Sequence, residues 1–230
     1  HMVAPRTGFE NEIGVLSNLR GTPVFTPLYK PADKTSIVRD LDLDFDASRI
    51  LFTGYKGTNN LFGVYEISAD FSKLAKEMPF QTPALVSPED GKYDIQWWDG
   101  CYLPNKDQVI LLGTAAYQFL PCEDGNMPMA VLYRKDRKTG EVRQLTYEQD
   151  SDYTPSITHD GRVLYTRWEY SDQPHYWSRV LMTMNPDGIG QLSVWGSNSF
   201  VPTFFYSART IPGDPHKITM IGGGHHDRAE

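Results

Sequence analysis

The chain has 230 residues, a net charge of −7, and 13 Tyr, 11 Phe, 5 Trp, 16 Pro and 19 Gly. It is long enough to bury a substantial core as one all-β domain or two smaller ones, and its aromatic, Pro and Gly content suits many short strands joined by turns. The acidic balance argues against a nucleic-acid-binding surface. No apolar run reaches the length of a membrane span, and the densest basic run, Arg134-Lys-Asp-Arg-Lys138, leads into the Thr139-Gly140 turn and reads as a solvated hairpin end.

Residues 1–11 read as a cloning remnant (His1-Met2) and a loose lead-in. Glu12 to Leu19 and Pro23 to Tyr29 follow as two strands joined by Arg20-Gly21. Arg39-Asp-Leu-Asp-Leu-Asp-Phe-Asp46 alternates strictly, which predicts Asp40, Asp42, Asp44 and Asp46 along one strand face. Arg49 to Thr53 and Leu61 to Ile67 are the next strands. Ser72 to Met78 is a fourth strand or a short helical turn, and the Pro-rich stretch 79–91 a loop. A second unit, about 94–150, contains Gln108 to Leu112, a long insertion from Gly113 to Pro128, Met129 to Arg134, and an outer strand from Gly140 to Thr146. A third, about 151–199, contains Val163 to Tyr170, Ser178 to Met184 and Gly190 to Trp195, punctuated by the turn sequences Asp160-Gly161 and Asn185-Pro-Asp-Gly188. A partial fourth unit covers 200–226, with 227–230 as a tail.

The units are copies of one another. Arg49-Ile-Leu-Phe-Thr53 matches Arg162-Val-Leu-Tyr-Thr166 at every position in kind, and Gln108-Val-Ile-Leu-Leu112 matches at the first four, at offsets of 59 and 54 residues. Four strands at this period describe the blade of a β-propeller, with antiparallel blades of about 54–60 residues. A β-sandwich would space its strands evenly without this register. The chain also opens on two strands (12–32) that lack inner partners and closes on inner strands that lack outer ones. The two halves could pair to close a small ring; the alternative is a partial ring, a fragment of a larger propeller.

Gln144-Leu-Thr146, Asp152, Pro155 and His159-Asp-Gly-Arg162 resemble the TolB-like and WD-repeat-like propeller repeats of bacteria. A wider set of strings is similar to the propeller domain of hydrazine synthase alpha-subunit-like proteins: Cys101-Tyr-Leu-Pro104, Leu120-Pro-Cys122, Gly161 to Tyr170, Met184-Asn-Pro-Asp-Gly188, Gly196-Ser-Asn198, Ile211-Pro-Gly213 and Gly224-His-His226. The resemblance implies a propeller, an exported (periplasmic or extracellular) bacterial protein, and further domains of a longer parent chain. It does not carry chemistry across: the haem-bearing relatives use Cys-x-x-Cys-His attachment sites, which this chain lacks, so no haem cofactor is expected.

Several groups are candidates for a site. Arg167, Glu169 and His175 flank one loop of the third unit, a position suited either to ligand binding or to an Arg–Glu pair that holds blades together. The adjacent Trp97 and Trp98 cannot share a strand face, so one ring is a candidate platform for a sugar. Asp42 and Asp44 supply the oxygen ligands that calcium takes, although same-face residues about 6.6 Å apart along a straight strand cannot wrap one ion. His225 and His226 are the candidate ligands for a transition metal, against the alternative of loop or interface histidines. Cys101 and Cys122 read as a disulfide closing a roughly 20-residue loop, worth about 3 kcal/mol, with two buried free thiols as the alternative. No serine-nucleophile elbow and no Gly-rich phosphate loop is present. The expectation is a non-catalytic propeller module that binds a protein partner or a carbohydrate-like ligand. The alternative is an enzyme of the polysaccharide lyase or hydrolase type with its site at the propeller mouth.

Overall fold

The computed structural model describes residues 11–32, 36–56, 61–69, 81–89, 94–121, 125–169, 179–197 and 204–223. Among the described residues there is no α-helix. The chain packs as two compact units, 1–100 and 101–230, and the division falls inside a strand, β7.

Among the described residues, sixteen strands form five antiparallel sheets. Three are four-stranded meanders in chain order: blade 1 (β3 Arg39–Leu43, β4 Arg49–Lys56, β5 Leu61–Ser68, β6 Ala84–Leu85), blade 2 (β7 Trp97–Tyr102, β8 Gln108–Gly113, β9 Val131–Asp136, β10 Val142–Gln144) and blade 3 (β11 Asp152–Ile157, β12 Val163–Trp168, β13 Arg179–Met184, β14 Leu192–Trp195). Two are two-stranded: β1 (Ile13–Ser17) with β2 (Val24–Tyr29), and β15 (Phe204–Ile211) with β16 (Asp214–Gly223). Each is a two-stranded sheet among the described residues.

The turns follow from their residues. Gly161 (φ 81°) and Gly188 (φ 89°) take the left-handed conformation that a side chain resists, and the turns close through Gly161 N–H to Thr158 O and Gly188 N–H to Asn185 O, both 2.9 Å. At Gly188 the space is closed as well, because a Cβ there would lie 3.0 Å from the Leu145 carbonyl oxygen. The arginine that begins the repeated string ties each turn to its sheet. Arg49 Nε donates to Asp44 Oδ2 at 3.0 Å, and Arg162 donates to Thr183 Oγ1, Asn185 Oδ1 and the Gly190 carbonyl at 3.1, 2.7 and 2.6 Å.

Ser72 to Met78, read as a fourth strand or a short helical turn, lies outside the described residues. β6 forms within the Pro-rich stretch read as a loop, where Ala84 and Leu85 pair with Glu66 and Tyr65. The aspartate row is also corrected. Asp40 has φ 52°, the β3–β4 register shifts between Arg39 and Asp42, and β3 ends at Leu43. The left-handed residue breaks the alternation, so the four carboxylates do not share a strand face. Leu41, Leu43 and Phe45 are the exposed side chains there, while Asp44 is buried.

The break at Asp40 is itself a repeat. Asp99 (φ 50°), Thr154 (φ 46°) and Ser207 (φ 53°) take the same conformation in β7, β11 and β15, at intervals of 59, 55 and 53 residues. In β11 and β15, as in β3, the register shifts at this point. Each bulge turns an inner strand and costs strain of about 1–3 kcal/mol for a non-glycine residue.

The threonine that ends the repeated string ties a sheet to the bulged strand that follows. Thr53 Oγ1 accepts from the Asp99 N–H (2.9 Å), and Thr166 Oγ1 donates to the Phe205 carbonyl (2.7 Å); both threonines are fully buried. Thr154 Oγ1 accepts from the Ser207 N–H at 3.0 Å. Around these bonds lies apolar packing: Ile13 and Leu28 against Ile50, Phe52 and Ile67 in the first unit, and Leu164 and Leu181 against Ala208, Ile218 and Met220 in the second. Replacing Thr166 with valine keeps the shape and removes the hydroxyl, so Thr166→Val is expected to cost about 1–2 kcal/mol. Denaturant unfolding checks this: Thr166→Ser should retain the stability that the valine loses.

Candidate functional site at the end of blade 3

Polar and charged side chains gather where the link from β10 enters blade 3 and β12 ends. Asp152 opens β11 and pairs across the ladder with Arg167. Its backbone N–H donates to Ala130 O at 2.9 Å, and the Ala130 N–H donates to Ser151 Oγ at 3.2 Å, so the link is pinned to the start of β9. Leu145 N–H donates to Leu132 O (2.8 Å) and Leu132 N–H to Thr146 Oγ1 (2.9 Å), which turns the Thr146 hydroxyl inward onto Asp152 Oδ2.

Arg167 is half-buried and serves three acceptors. Nη1 donates to Glu148 Oε1 (3.2 Å) and Gln191 Oε1 (3.4 Å), and Nη2 donates to Glu169 Oε1. Burial works against its charge, but the hydrogen bond to Glu169 and the charges of Glu148 and Glu169 more than offset that and hold its pKa above the ordinary arginine value. Under this surface layer lie three buried polar atoms with no hydrogen bond of normal geometry: Asp152 Oδ1, Tyr165 Oη and Arg167 Nε. Tyr165 lies on the same face of β12 as Arg167, two residues before it. Burial raises its phenol pKa, and the nearby Asp152 carboxylate adds to the rise.

Asp152 is 1% exposed. Burial above all, reinforced by the Glu148 charge, pushes its pKa up to about 8, against the pull of the Thr146 hydroxyl and the Arg167 cation. The group is therefore largely a neutral acid at pH 7 and able to donate a proton as well as accept a hydrogen bond.

The other predicted residues are placed as follows. His175, His225, His226 and Cys122 lie outside the described residues, and Cys101 is buried in β7. Trp97 and Trp98 are both buried, at 2% and 8% exposure, because every position of β7 is covered, so neither offers a ring face to a sugar. Asp44 spends both oxygens on its own turn: Oδ1 accepts from the Ser48 and Arg49 N–H groups, and Oδ2 from the Ser48 hydroxyl and Arg49 Nε. Asp42 sits half-buried in β3. Among the described residues no three His, Cys, Asp or Glu side chains come together closely enough to hold a metal ion.

Sequence reasoning found Arg167 and Glu169 but missed Glu148, Asp152, Tyr165 and Gln191. A carboxylate directly across a strand pair from an arginine was the available signal, and it needed the register. It also missed Arg179, whose guanidinium lies 3.9 Å from the Trp168 ring centroid and 5.3 Å from that of Phe204.

Compared with solved structures, the chain is similar to hydrazine synthase of Kuenenia stuttgartiensis (14% identity over 81% of this chain and 29% of that one, TM-score 0.61). It is also similar to a protein assigned as TolB from Agrobacterium tumefaciens (15%, 81% and 57%, TM-score 0.55) and to TolB from Acinetobacter baumannii (13%, 93% and 46%, TM-score 0.53). The fold is that of a β-propeller. At these identities the likeness concerns the fold alone, and the chain spans 57% or less of the length of each. No protein-family model matches the chain, and no curated protein matches it in sequence.

Because Asp152 binds its proton more tightly folded than unfolded, it favours folding most below pH about 4. That contribution declines, by up to about 1.4 kcal/mol per pH unit, as pH rises toward about 8. Asp152→Asn keeps the acceptor for Thr146 and removes the titration. Melting curves from pH 5 to pH 9 should show the wild type losing stability with rising pH and the variant losing markedly less, with the variant the more stable above pH 8. An unchanged slope would refute the assignment.

Proposed function

We propose that the chain is a non-catalytic β-propeller module of an exported bacterial protein, and that it binds a protein partner or a carbohydrate-like ligand at the ends of its blades. The Arg167 cluster is its recognition site in blade 3. The observation that carries this reading is the convergence of Asp152 Oδ1, Tyr165 Oη and Arg167 Nε, three buried polar atoms with no hydrogen bond of normal geometry, beside a half-exposed Arg–Glu layer. Buried polar groups are nearly always well paired, so three such atoms together call for a function or a bound polar guest. Propeller modules present such groups on the links and strand ends that a rigid sheet holds in place.

Binding is favoured over catalysis by accessibility. Asp152 is pushed toward neutral pH, as a general acid must be, yet at 1% exposure it is beyond the reach of a substrate. The accessible carboxylates, Glu148 and Glu169, are committed to Arg167. Export is supported by the resemblance of the repeat to exported bacterial propellers. No described helix is long and apolar enough to cross a membrane.

The test is a thermal-shift panel of neutral and acidic oligosaccharides and short peptides on the wild type and on Arg167→Met. The variant is expected to lose about 1–3 kcal/mol of stability and to lose the melting-temperature rise that a recognised compound gives the wild type. A variant that loses stability but keeps that rise would assign Arg167 a purely structural role. Cleavage products accumulating from any panel member would replace the binding reading with an enzymatic one.

A further inference from the structure

The two-stranded sheets correspond to different parts of a blade. β15 carries the left-handed residue that marks a first strand, Ser207 (φ 53°). It also takes up the Thr154 and Thr166 hydroxyls of blade 3 through the Ser207 N–H and the Phe205 carbonyl. β15–β16 is therefore a first-and-second pair. β1–β2 is a third-and-fourth pair. Ile13-Gly-Val-Leu16 in β1 matches Phe62-Gly-Val-Tyr65 in β5, the third strand of blade 1. The turn sequence that leaves β1, Asn18-Leu-Arg-Gly21, matches Asn185-Pro-Asp-Gly188, which leaves the third strand of blade 3. Both turns close through a Gly N–H to Asn O bond, at 3.0 and 2.9 Å.

Each pair covers its neighbour incompletely. β15 and β16 lie on the second and third strands of blade 3, with Ala208, Ile218 and Met220 against Leu164 and Leu181. The fourth strand, β14, lies beyond them, and Leu192 and Val194, on one of its faces, stay exposed. A cleft of about 340 Å³ opens there, with Leu164, Val194, Pro215 and Ile218 as its apolar walls. β1 and β2 lie on the second and third strands of blade 1, with Ile13, Val15 and Leu28 against Ile50, Phe52 and Ile67. Here the first strand, β3, is the one left with exposed apolar side chains, Leu41 and Leu43.

What one pair lacks, the other supplies. A third strand laid beside β16 falls over β14, and a second strand laid beside β1 falls over β3. β1 and β16 are strands of those two kinds. Neither β1 nor residues 218–223 of β16 hold a charged side chain to blunt an edge. Pro27 marks β2 as the outer edge of its own pair. Among the described residues β1 pairs only with β2, and β16 only with β15. The complement of each is present on every copy of the chain.

We propose that two copies of the chain exchange these pairs, β1 of each adding to β16 of the other, so that two composite blades of strand order β15-β16-β1-β2 form. Three whole blades and one composite blade per copy make eight for two copies, the top of the roughly 4–8 that propellers hold. Reciprocal exchange leaves neither edge over, so growth stops at two. The proposal stands independently of the Arg167 site.

Sedimentation equilibrium tests it, and the chain is expected to show twice its 26.1 kDa mass. Leu192→Glu with Val194→Glu places charge under the added β1, and Leu41→Glu with Leu43→Glu places charge under the added β16. Each double variant alone should sediment as a monomer. An equimolar mixture should regain the dimer mass, because the second variant keeps its β16 side and the first its β1 side. With one contact in place of two, its dissociation constant should exceed that of the wild type by about tenfold or more. A monomeric wild type, as closure within a single chain would give, a mass growing beyond two copies, a double variant that still dimerises alone, or a mixture that stays monomeric would each overturn the proposal. If a double variant does not fold, hydrogen exchange of the wild type over a dilution series reads the same question. The β1 and β16 amides should lose protection together as the mass falls, and protection unchanged by dilution would overturn it.

Discussion

In β12 three consecutive residues, Val163, Leu164 and Tyr165, are fully buried, and in β8 so are Val109 to Leu112. Consecutive strand residues point to opposite sides, so these sheets carry apolar surface on both faces and each face must be covered by something else. That constraint shapes the rest of the chain. It explains the apolar strings with no alternation and the threonines whose hydroxyls reach out of one sheet to the backbone of the next. It explains as well why the second unit supports a two-stranded sheet at all: β15 and β16 exist as a cover for Leu164 and Leu181. Where that cover is only two strands wide, β14 keeps Leu192, Val194 and Trp195 exposed.

How much of this was legible in the sequence depended on whether the information was local. The strings Arg49 to Thr53 and Arg162 to Thr166 announce their strands, and Asp160-Gly161 and Asn185 to Gly188 announce their turns, because propensity and turn chemistry act within a few residues. The aspartate row misled for the same reason. Strict alternation argues for a single face, and nothing in Asp40 to Asp46 says that the backbone at Asp40 is left-handed. Trp97 and Trp98 failed similarly: alternation exposes one of two neighbours only if one side of the strand is open. The buried part of the blade 3 site, Asp152 with Glu148 and Tyr165, depends on cross-strand register and on how the link folds back over β9, and neither is written in any short window.

The position after the repeated string shows how such a scaffold diversifies. The string itself is constrained by burial on both sides. The next residue is where the blades differ: it is a buried glycine in blades 1 and 2 and a half-buried arginine in blade 3. The arginine brings in two carboxylates and an amide. The same backbone position thus carries a charged cluster in one blade and a buried glycine in the other two.

The left-handed residues in the inner strands bear on how the protein assembles. Thr154 is strained within its own blade, and its hydroxyl finds the Ser207 N–H only once β15 has arrived; in the first unit, likewise, Thr53 meets Asp99 only when β7 is in place. The compensation for each irregularity therefore comes from a later segment of chain. A blade cut out of this context would retain its distortion and lose the partner that offsets it, so the repeats are not interchangeable modules. Folding is expected to proceed by accretion, with every blade finished by the arrival of its successor.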